Sequence, residues 1–393
     1  METAVEVGAD VAEVRSIVII GAGIVGASVA YHVARLGLPV TLIDQASSVA
    51  AGVTGGSFAW IGATAGGGWP GGSDDLRGEV LADWRRLEAE VPGVAVRWTG
   101  SLIPIEDDAA GGSGQGLQME EAGGDLEAGQ HLIGRGEIAA LEPNLRVLPE
   151  RAVSIPSDGG VDPTEVTEAL VAAARRLGAR VVLGAGAASL KTVDDGRVVG
   201  VESSARFHPA TTVVLAAGTG IPALCAPLGV EVVVDASPAF RMSAAAPAGL
   251  VRTIFVGSDF EVREVRDEVL LVTAPLSEER DGAAELAESA ERAESAALEQ
   301  LAGETTDRVR STFGEKSIRL LEYQVGWRPV PPGGPVIGYL TPDKSVYVAV
   351  MNSAVTLAPT IGRLIADELV TGRIAPELAR CRLPAPASDP GSR

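Results

Sequence analysis

Four β-branched apolar residues in succession, Ile17-Val18-Ile19-Ile20, suit a strand buried on both faces. Gly21-Ala-Gly23-Ile24-Val25-Gly26 follows. Apolar residues at Val25, Val29, Val33 and Leu36 then recur at helical spacing until Gly37. Val40-Thr-Leu-Ile43 is a second short apolar run, closed by Asp44. The pattern predicts β–α–β within about thirty residues. Residues 16–34 approach the length of a membrane span, but the glycines at 21, 23 and 26 favour a buried strand–turn–helix.

Further along, the Gly-rich stretch 51–72 reads as loop, with an apolar insert at Phe58-Ala-Trp60-Ile61. Residues 74–90 read as a helix, 94–105 as strands, and the acidic, Gly-rich 106–130 as a surface excursion. Asp162-Pro163 is a strong helix start, a capping carboxylate followed by proline in the first turn. Val166, Leu170, Ala173 and Leu177 share one face of that helix, and Gly178 ends it. Strands are expected at 181–183, 197–202 and 212–216, and alternation over 231–274 predicts antiparallel sheet. A helix over 283–301 would turn Leu286, Ala290, Ala293, Ala297 and Leu301 inward. Strands near 319–330 and 346–350 precede a last helix carrying Ile361, Leu364, Ile365 and Leu369, stopped by Gly372. Residues 1–14 and 384–393 read as flexible tails, and no repeat of fixed period is present.

Composition narrows the class. Of 393 residues 46% are hydrophobic but only 4% aromatic, so the core is built from Ala, Val, Leu and Ile. The formal net charge is −20, which argues against nucleic acid and against anionic membrane surfaces as partners. That excess is local: residues 1–14, 101–130 and 261–304 carry −4, −7 and −9, and everything else is neutral. Cys225 and Cys381 are too few for a disulfide framework and too scattered for a metal site. With an acidic rather than basic start, the expectation is a cytoplasmic protein. His32, His131 and His208 are not clustered, and no Ser–His–Asp or Cys–His arrangement can be read from the spacing.

Gly21-x-Gly23-x-x-Gly26 lies between a strand and a helix, the context that makes a dinucleotide fingerprint meaningful. The first glycine makes the tight turn, the second admits a pyrophosphate to the backbone, and the third lets helix and strand pack closely. Asp44, at the end of the second strand, is placed to accept hydrogen bonds from a ribose diol. The motif does not separate NAD from FAD, although Asp44 disfavours the 2′-phosphate of NADP.

Later segments add to it: Gly159-Gly-Val-Asp162-Pro163 opening a helix and Thr211-Thr-Val-Val-Leu-Ala-Ala217-Gly218. Gly326-Trp-Arg328-Pro329 and Met351-Asn352-Ser-Ala354-Val355-Thr356-Leu357 complete the set. In order and spacing these motifs resemble the D-amino acid oxidase/glycine oxidase (DAO) family of FAD-dependent oxidoreductases over roughly residues 15–375. The resemblance implies an α/β protein with a Rossmann-like FAD-binding domain, discontinuous over 15–90, 155–225 and 326–375. An α+β substrate domain with a mixed or antiparallel sheet would occupy 91–154 and 226–325.

It also implies a function: oxidation of the C–N bond of an amino acid or amine by hydride transfer to flavin N5, giving an imine. The electrons would pass to O2 or another acceptor. Arg328 matches the arginine that grips the substrate carboxylate, a role suited to a planar, permanently charged fork. Residues 351–357 match the loop near the flavin pyrimidine ring, with Asn352 and Ala354 standing where many relatives carry His or Gly. Asn352 is therefore a candidate catalytic residue. The implied FAD contacts are Gly21, Gly23, Ile24, Val25, Gly26, Asp44, Gln45, Ala187, Ala217, Gly218 and Ala354–Leu357. Thr54, Gly55, Gly56 and Ser57 would wrap the isoalloxazine and ribityl chain. Trp60, Phe260 and Val262 are expected to line the substrate site, without the tyrosine that some relatives place there. Relatives that attach FAD covalently use a Cys near the Arg328 segment or a His in the first Gly-rich loop; neither occurs in 45–60 or 315–345, so the resemblance implies non-covalent FAD. The alternatives are a tailoring oxidase or dehydrogenase for a larger secondary-metabolite amine, and a non-catalytic flavin- or nucleotide-binding protein.

Overall fold

The computed structural model describes residues 15–63, 71–105, 129–204, 206–276 and 287–383. The expected tails and most of the acidic excursion lie outside them. In the first half of the chain the strands are β1 (Ile17–Ile20), β2 (Val40–Ile43), β3 (Trp60–Ile61), β4 (Ser101–Pro104), β5 (His131–Gly134) and β6 (Arg151–Ile155). Then come β7 (Gly159–Gly160), β8 (Arg180–Val182), β9 (Ser189–Thr192), β10 (Val198–Glu202), β11 (Phe207–Pro209) and β12 (Thr212–Leu215). The second half contains β13 (Asp235–Ala245), β14 (Ile254–Val256), β15 (Glu261–Arg266), β16 (Val269–Ala274), β17 (Arg319–Val330), β18 (Val336–Tyr339) and β19 (Val346–Val350). The helices are α1 (Ile24–Arg35), α2 (Ser73–Glu90), α3 (Arg135–Leu141), α4 (Pro163–Arg176), α5 (Ile221–Cys225), α6 (Ala287–Phe313) and α7 (Ala354–Thr371).

Two large sheets organise the molecule. The first has the order β18-β19-β12-β1-β2-β8, parallel throughout except for the antiparallel edge strand β18. Its strands are apolar on both sides because helices or further chain cover both faces. Helices α1 and α7 cross closely: Ser28 Oγ donates to Ala358 O (2.7 Å), and a Cβ on Gly362 would run into Ser28. Asp162 caps α4 as its sequence predicts, with Oδ1 accepting from the amides of Thr164 (3.0 Å) and Glu165 (3.2 Å). Gly372, at φ 70°, ends α7 in the left-handed conformation.

The second sheet runs β17-β13-β16-β15-β14-β4-β6-β5, antiparallel apart from the β14–β4 pair. One face carries Leu102, Phe240, Met242, Phe255, Val262 and Val272 into a core shared with α6. Here α6 departs from expectation. It runs on past Leu301 to Phe313, because Ala302, Val309 and Phe313 bury against that face and outweigh the helix-weakening Gly303. The inward positions expected at Leu286, Ala290 and Ala293 lie outside the described side chains. The strand expected over 94–105 shrinks to β4, with a single bridge from Arg97 to Gly160 before it. Strand β17 is continuous through 326, so Arg328 belongs to the large sheet. Among the described residues no helix is long and apolar enough to cross a membrane.

Candidate functional site

The parallel strands β1, β12 and β19 end side by side, and each continues into one of the motifs singled out in the sequence. β1 leads to Gly21–Gly26, β12 to Ala216–Gly218, and β19 to Met351–Ser353. In open α/β sheets, ligands bind in the crevice beyond these carboxyl ends. The glycines there have specific physical work. A Cβ on Gly21 (φ 109°) would overlap Ala216 O, and one on Gly26 would overlap Gly21 O, so both positions exclude any side chain. Around Gly218 (φ 57°) the space is open: a Cβ would meet only Pro329 Cγ at 4.0 Å.

The first intrahelical bond of α1 runs from Ala27 N to Gly23 O (2.9 Å), so the preceding amides belong to the positive end of the helix. Ile24 N is taken by Thr54 Oγ1 (3.2 Å), which brings the 54–57 loop against the fingerprint. Asp44 accepts from Ala22 N (2.6 Å) and Ala46 N (2.8 Å), bracing the glycine turn, and each carboxylate oxygen has a further lone pair for a ribose hydroxyl. Gln45 is exposed beside it. Exposed Ala187 follows a segment in which Gly184 N and Ala185 N bond to Ala46 O and Asp44 O. The loop before α7 turns through Ser353 at φ 53°, with Asn352 exposed and Ala354 half-buried. Thr356 Oγ1 donates to Trp60 O (2.8 Å) and Thr356 O accepts from Trp84 Nε1 (2.9 Å), fixing the start of α7 against β3. Val355 and Leu357 are buried in the core beneath. These features fit a dinucleotide: a side-chain-free turn, a helix N-terminus, an acid at the end of β2 and an open second approach at Gly218.

The face of the eight-stranded sheet opposite α6 looks onto the 53–61 loop. Gln324 Nε2 donates to Gly55 O (3.2 Å), and a Cβ on Gly326 would touch Val53. Arg263, 2% exposed, donates through Nε and Nη2 to Phe58 O (2.9 and 2.6 Å) and through Nη2 to Val161 O (2.6 Å). Burial pulls its guanidinium down to about 9. Trp60 packs among Ile103, Val153, Ile155 and Val256, and its Nε1 donates to Asp158 Oδ2 (3.0 Å). Asp158 is fully buried; Ser101 Oγ also donates to Oδ2 (2.8 Å), while Oδ1 has no partner. Burial pushes its carboxyl up to about 6. Arg328 is exposed at the end of β17 and uses Nη2 on Ser237 Oγ (3.2 Å) and Pro238 O (3.5 Å).

Two of the expected site residues are not on this face. Phe260 packs against Phe255 (6.3 Å between ring centroids), and Val262 pairs with Phe255 in the α6-side core. Side chains alternate along β15, so the residues turned to the loop are Glu261 and Arg263. The signal was available: two apolar residues two apart already mark the core face. Asp158 and Gln324 carried no comparable signal, since only the fold brings them beside residues far away in sequence. Cys225 and Cys381 are buried, and burial pushes both thiols up to about 11, which makes them inert.

Comparison with known proteins decides the family. Residues 16–368 match the family model described as FAD dependent oxidoreductase (DAO). The chain belongs to this family. It is 27% identical over 380 residues to the uncharacterized oxidoreductase YurR of Bacillus subtilis (strain 168), covering 91% of this chain and 95% of that one. The fold is similar to iminodiacetate oxidase (IdaA) from Chelativorans sp. BNC1, with TM-score 0.73, 23% identity, and coverage of 93% and 98% of the two chains. It is also similar to glycine oxidase from Bacillus cereus ATCC 14579, with TM-score 0.70, 18% identity, and coverage of 95% and 100%. The protein is thus an FAD-dependent oxidoreductase of the DAO family.

Proposed function

We propose that the protein oxidises the C–N bond of an amine or amino acid bearing an anionic group, giving an imine that water hydrolyses. Bound FAD supplies the two-electron acceptor. The observation that carries the reading is Arg328: its exposed guanidinium stands on the loop-facing side of the sheet, next to Pro329, which approaches the open Gly218 turn. A carboxylate held there in a two-pronged hydrogen bond would orient the C–N bond to be oxidised toward the crevice. The relatives in solved structures whose names speak of iminodiacetate and glycine support an amino acid or related amine as substrate.

The chain's own residues supply the surroundings. The first-turn amides of α1 other than Ile24, together with the braced turn at Asp44, would hold the pyrophosphate and ribose, and Thr54–Ser57 would wrap the ring system. Amides at the start of α7 would stabilise negative charge on the reduced ring, with Asn352 contributing an amide that does not titrate. Attachment is non-covalent, because 45–60 and 315–345 contain no Cys or His. The electron acceptor is O2 or another oxidant, and the compartment that the composition favours is the cytoplasm.

The test is an anaerobic panel of amines and amino acids added to the yellow holoprotein, with bleaching of the flavin as readout. Protein that binds no flavin after reconstitution sinks the reading. Arg328→Ala should lower kcat/KM for carboxylate substrates about a hundredfold, the value of roughly 3 kcal/mol in charge-assisted hydrogen bonds. Unchanged steady-state constants would exclude the clamp.

A further inference from the structure

The loop-facing side of β15 places an acid in an unusual setting. Glu261 is paired across the sheet with Val256 on β14 and with Thr273 on β16, and Thr273 faces Arg241 on β13. Val256 belongs to the apolar cluster that holds Trp60. The polar neighbours are engaged elsewhere. Thr273 Oγ1 donates to Phe240 O (2.7 Å), and Arg241 Nη2 pairs with Glu322 Oε1 (3.1 Å). No described residue donates a hydrogen bond to the Glu261 carboxylate. Among the described residues Arg328 is the charged neighbour whose field favours the ionised form, while burial raises the carboxyl to about 7. Glu261 is half-buried, so a carboxylate with no protein donor is either hydrated from the open side of the sheet or half of a binding site.

Position favours the second. Glu261 shares one sheet face with Arg263, Gln324 and Arg328, and that face meets the loop expected to wrap the flavin. It does not form an ion pair with Arg328. Arg328 faces Ser237, while Glu261 is in line with Arg241, so four residues of β13 and three strand spacings separate them. In a flat sheet those offsets are roughly 13 and 14 Å. Two long side chains close part of that span, and what remains is room for a ligand between the two charged groups.

We propose that Glu261 and Arg328 are the two ends of one substrate clamp, selecting a molecule whose cationic nitrogen stands several bonds from its carboxylate. Arg328 takes the anion, as in the function proposed above, on which this inference rests; Glu261 takes the ammonium, and the apolar wall of Val256 and Trp60 flanks the Glu261 end. Glu261 is thereby a specificity-determining residue.

Three probes sharing a five-carbon carboxylate test it by calorimetric titration of the anaerobic holoenzyme. Pentanoate has the anion alone, 5-aminopentanoate adds a distal ammonium, and 2-aminopentanoate adds one beside the carboxylate. The wild type should bind 5-aminopentanoate at least tenfold more tightly than pentanoate. Glu261→Gln should reduce that preference to within about twofold while binding pentanoate no more weakly than the wild type, since it removes a negative charge near an anion at Arg328, and Glu261→Asp should retain part of it. If pentanoate binds but the distal ammonium adds nothing, the clamp is wrong while the Arg328 reading survives. If pentanoate itself fails to bind the wild type, the Arg328 reading fails and takes the clamp with it. Equal weakening of all three probes by Glu261→Gln, or an effect confined to 2-aminopentanoate, also overturns the proposal. The wild-type preference is a test by itself, so a poorly folded variant leaves the clamp falsifiable.

Discussion

Asp158→Asn turns the burial of one carboxyl into a measurable stability difference. Asp158 is wholly buried, with Trp60 and Ser101 donating to Oδ2 and nothing donating to Oδ1. Burial raises its carboxyl from 3.8 to about 6, and the two donors offset only part of that. A native acid with a raised pKa keeps its proton at pH values where the unfolded chain has lost it. Stability therefore falls as pH rises through the window from 3.8 to about 6, and the penalty is complete above it. Converted at 1.36 kcal/mol per pKa unit, the penalty is about 3 kcal/mol at pH 8 and about 1 kcal/mol at pH 4.5. Asparagine keeps the shape and an acceptor for both donors but carries no charge. The misfit of its NH2 group at the unpartnered position does not depend on pH and cancels in a double difference. Urea unfolding should show the variant gaining about 2 kcal/mol more, relative to wild type, at pH 8 than at pH 4.5. Flavin content should be unchanged, because the Trp60 carbonyl still receives Thr356. An identical offset at both pH values would show that the Asp158 carboxyl titrates in the native protein as it does in the unfolded chain, unshifted by burial, and the reasoning would fail.

Two further substitutions probe the frame around the cofactor. Gly26→Ala forces a methyl into the carbonyl of Gly21, a backbone overlap costing about 1–3 kcal/mol or more, and flavin content per chain should drop; a variant that retains full flavin contradicts the packing described. Arg263→Met leaves the carbonyls of Phe58 and Val161 without their donor, about 1–3 kcal/mol each, so the melting temperature should fall and flavin should dissociate more readily. An unchanged melting temperature would mean that relief from burying a guanidinium offsets those bonds.

Much of the frame could be read from residues close together in the chain. The βαβ unit from Ile17 to Ile43, the capped helix from Pro163 and the final helix ended by Gly372 all rest on neighbours within a few turns, where periodicity and capping chemistry act directly. The glycine fingerprint is of the same kind, since Gly26 packs on Gly21 only five positions away. Helix α6 shows where this stops. Gly303 and two adjacent threonines look like an ending, yet burial of Val309 and Phe313 against the sheet carries the helix ten residues further.

The site divides along the same line. Sequence alone pointed to a glycine turn between strand and helix, to the acid that ends the second strand, and to Arg328 in an extended segment beside a proline. Only the tertiary structure decided which side of β15 meets the loop. Strand parity is a binary choice settled by the α6-side core, and it turned Phe260 and Val262 inward while bringing Glu261 and Arg263 to the cleft. It also joined Arg263 to Phe58, 205 residues away, and Asp158 to Trp60, 98 residues away. Local pattern records how a residue suits its own helix or strand. Which distant carbonyl or carboxylate it meets is set by how the sheets stack, and that is where the chemistry of this site is assembled.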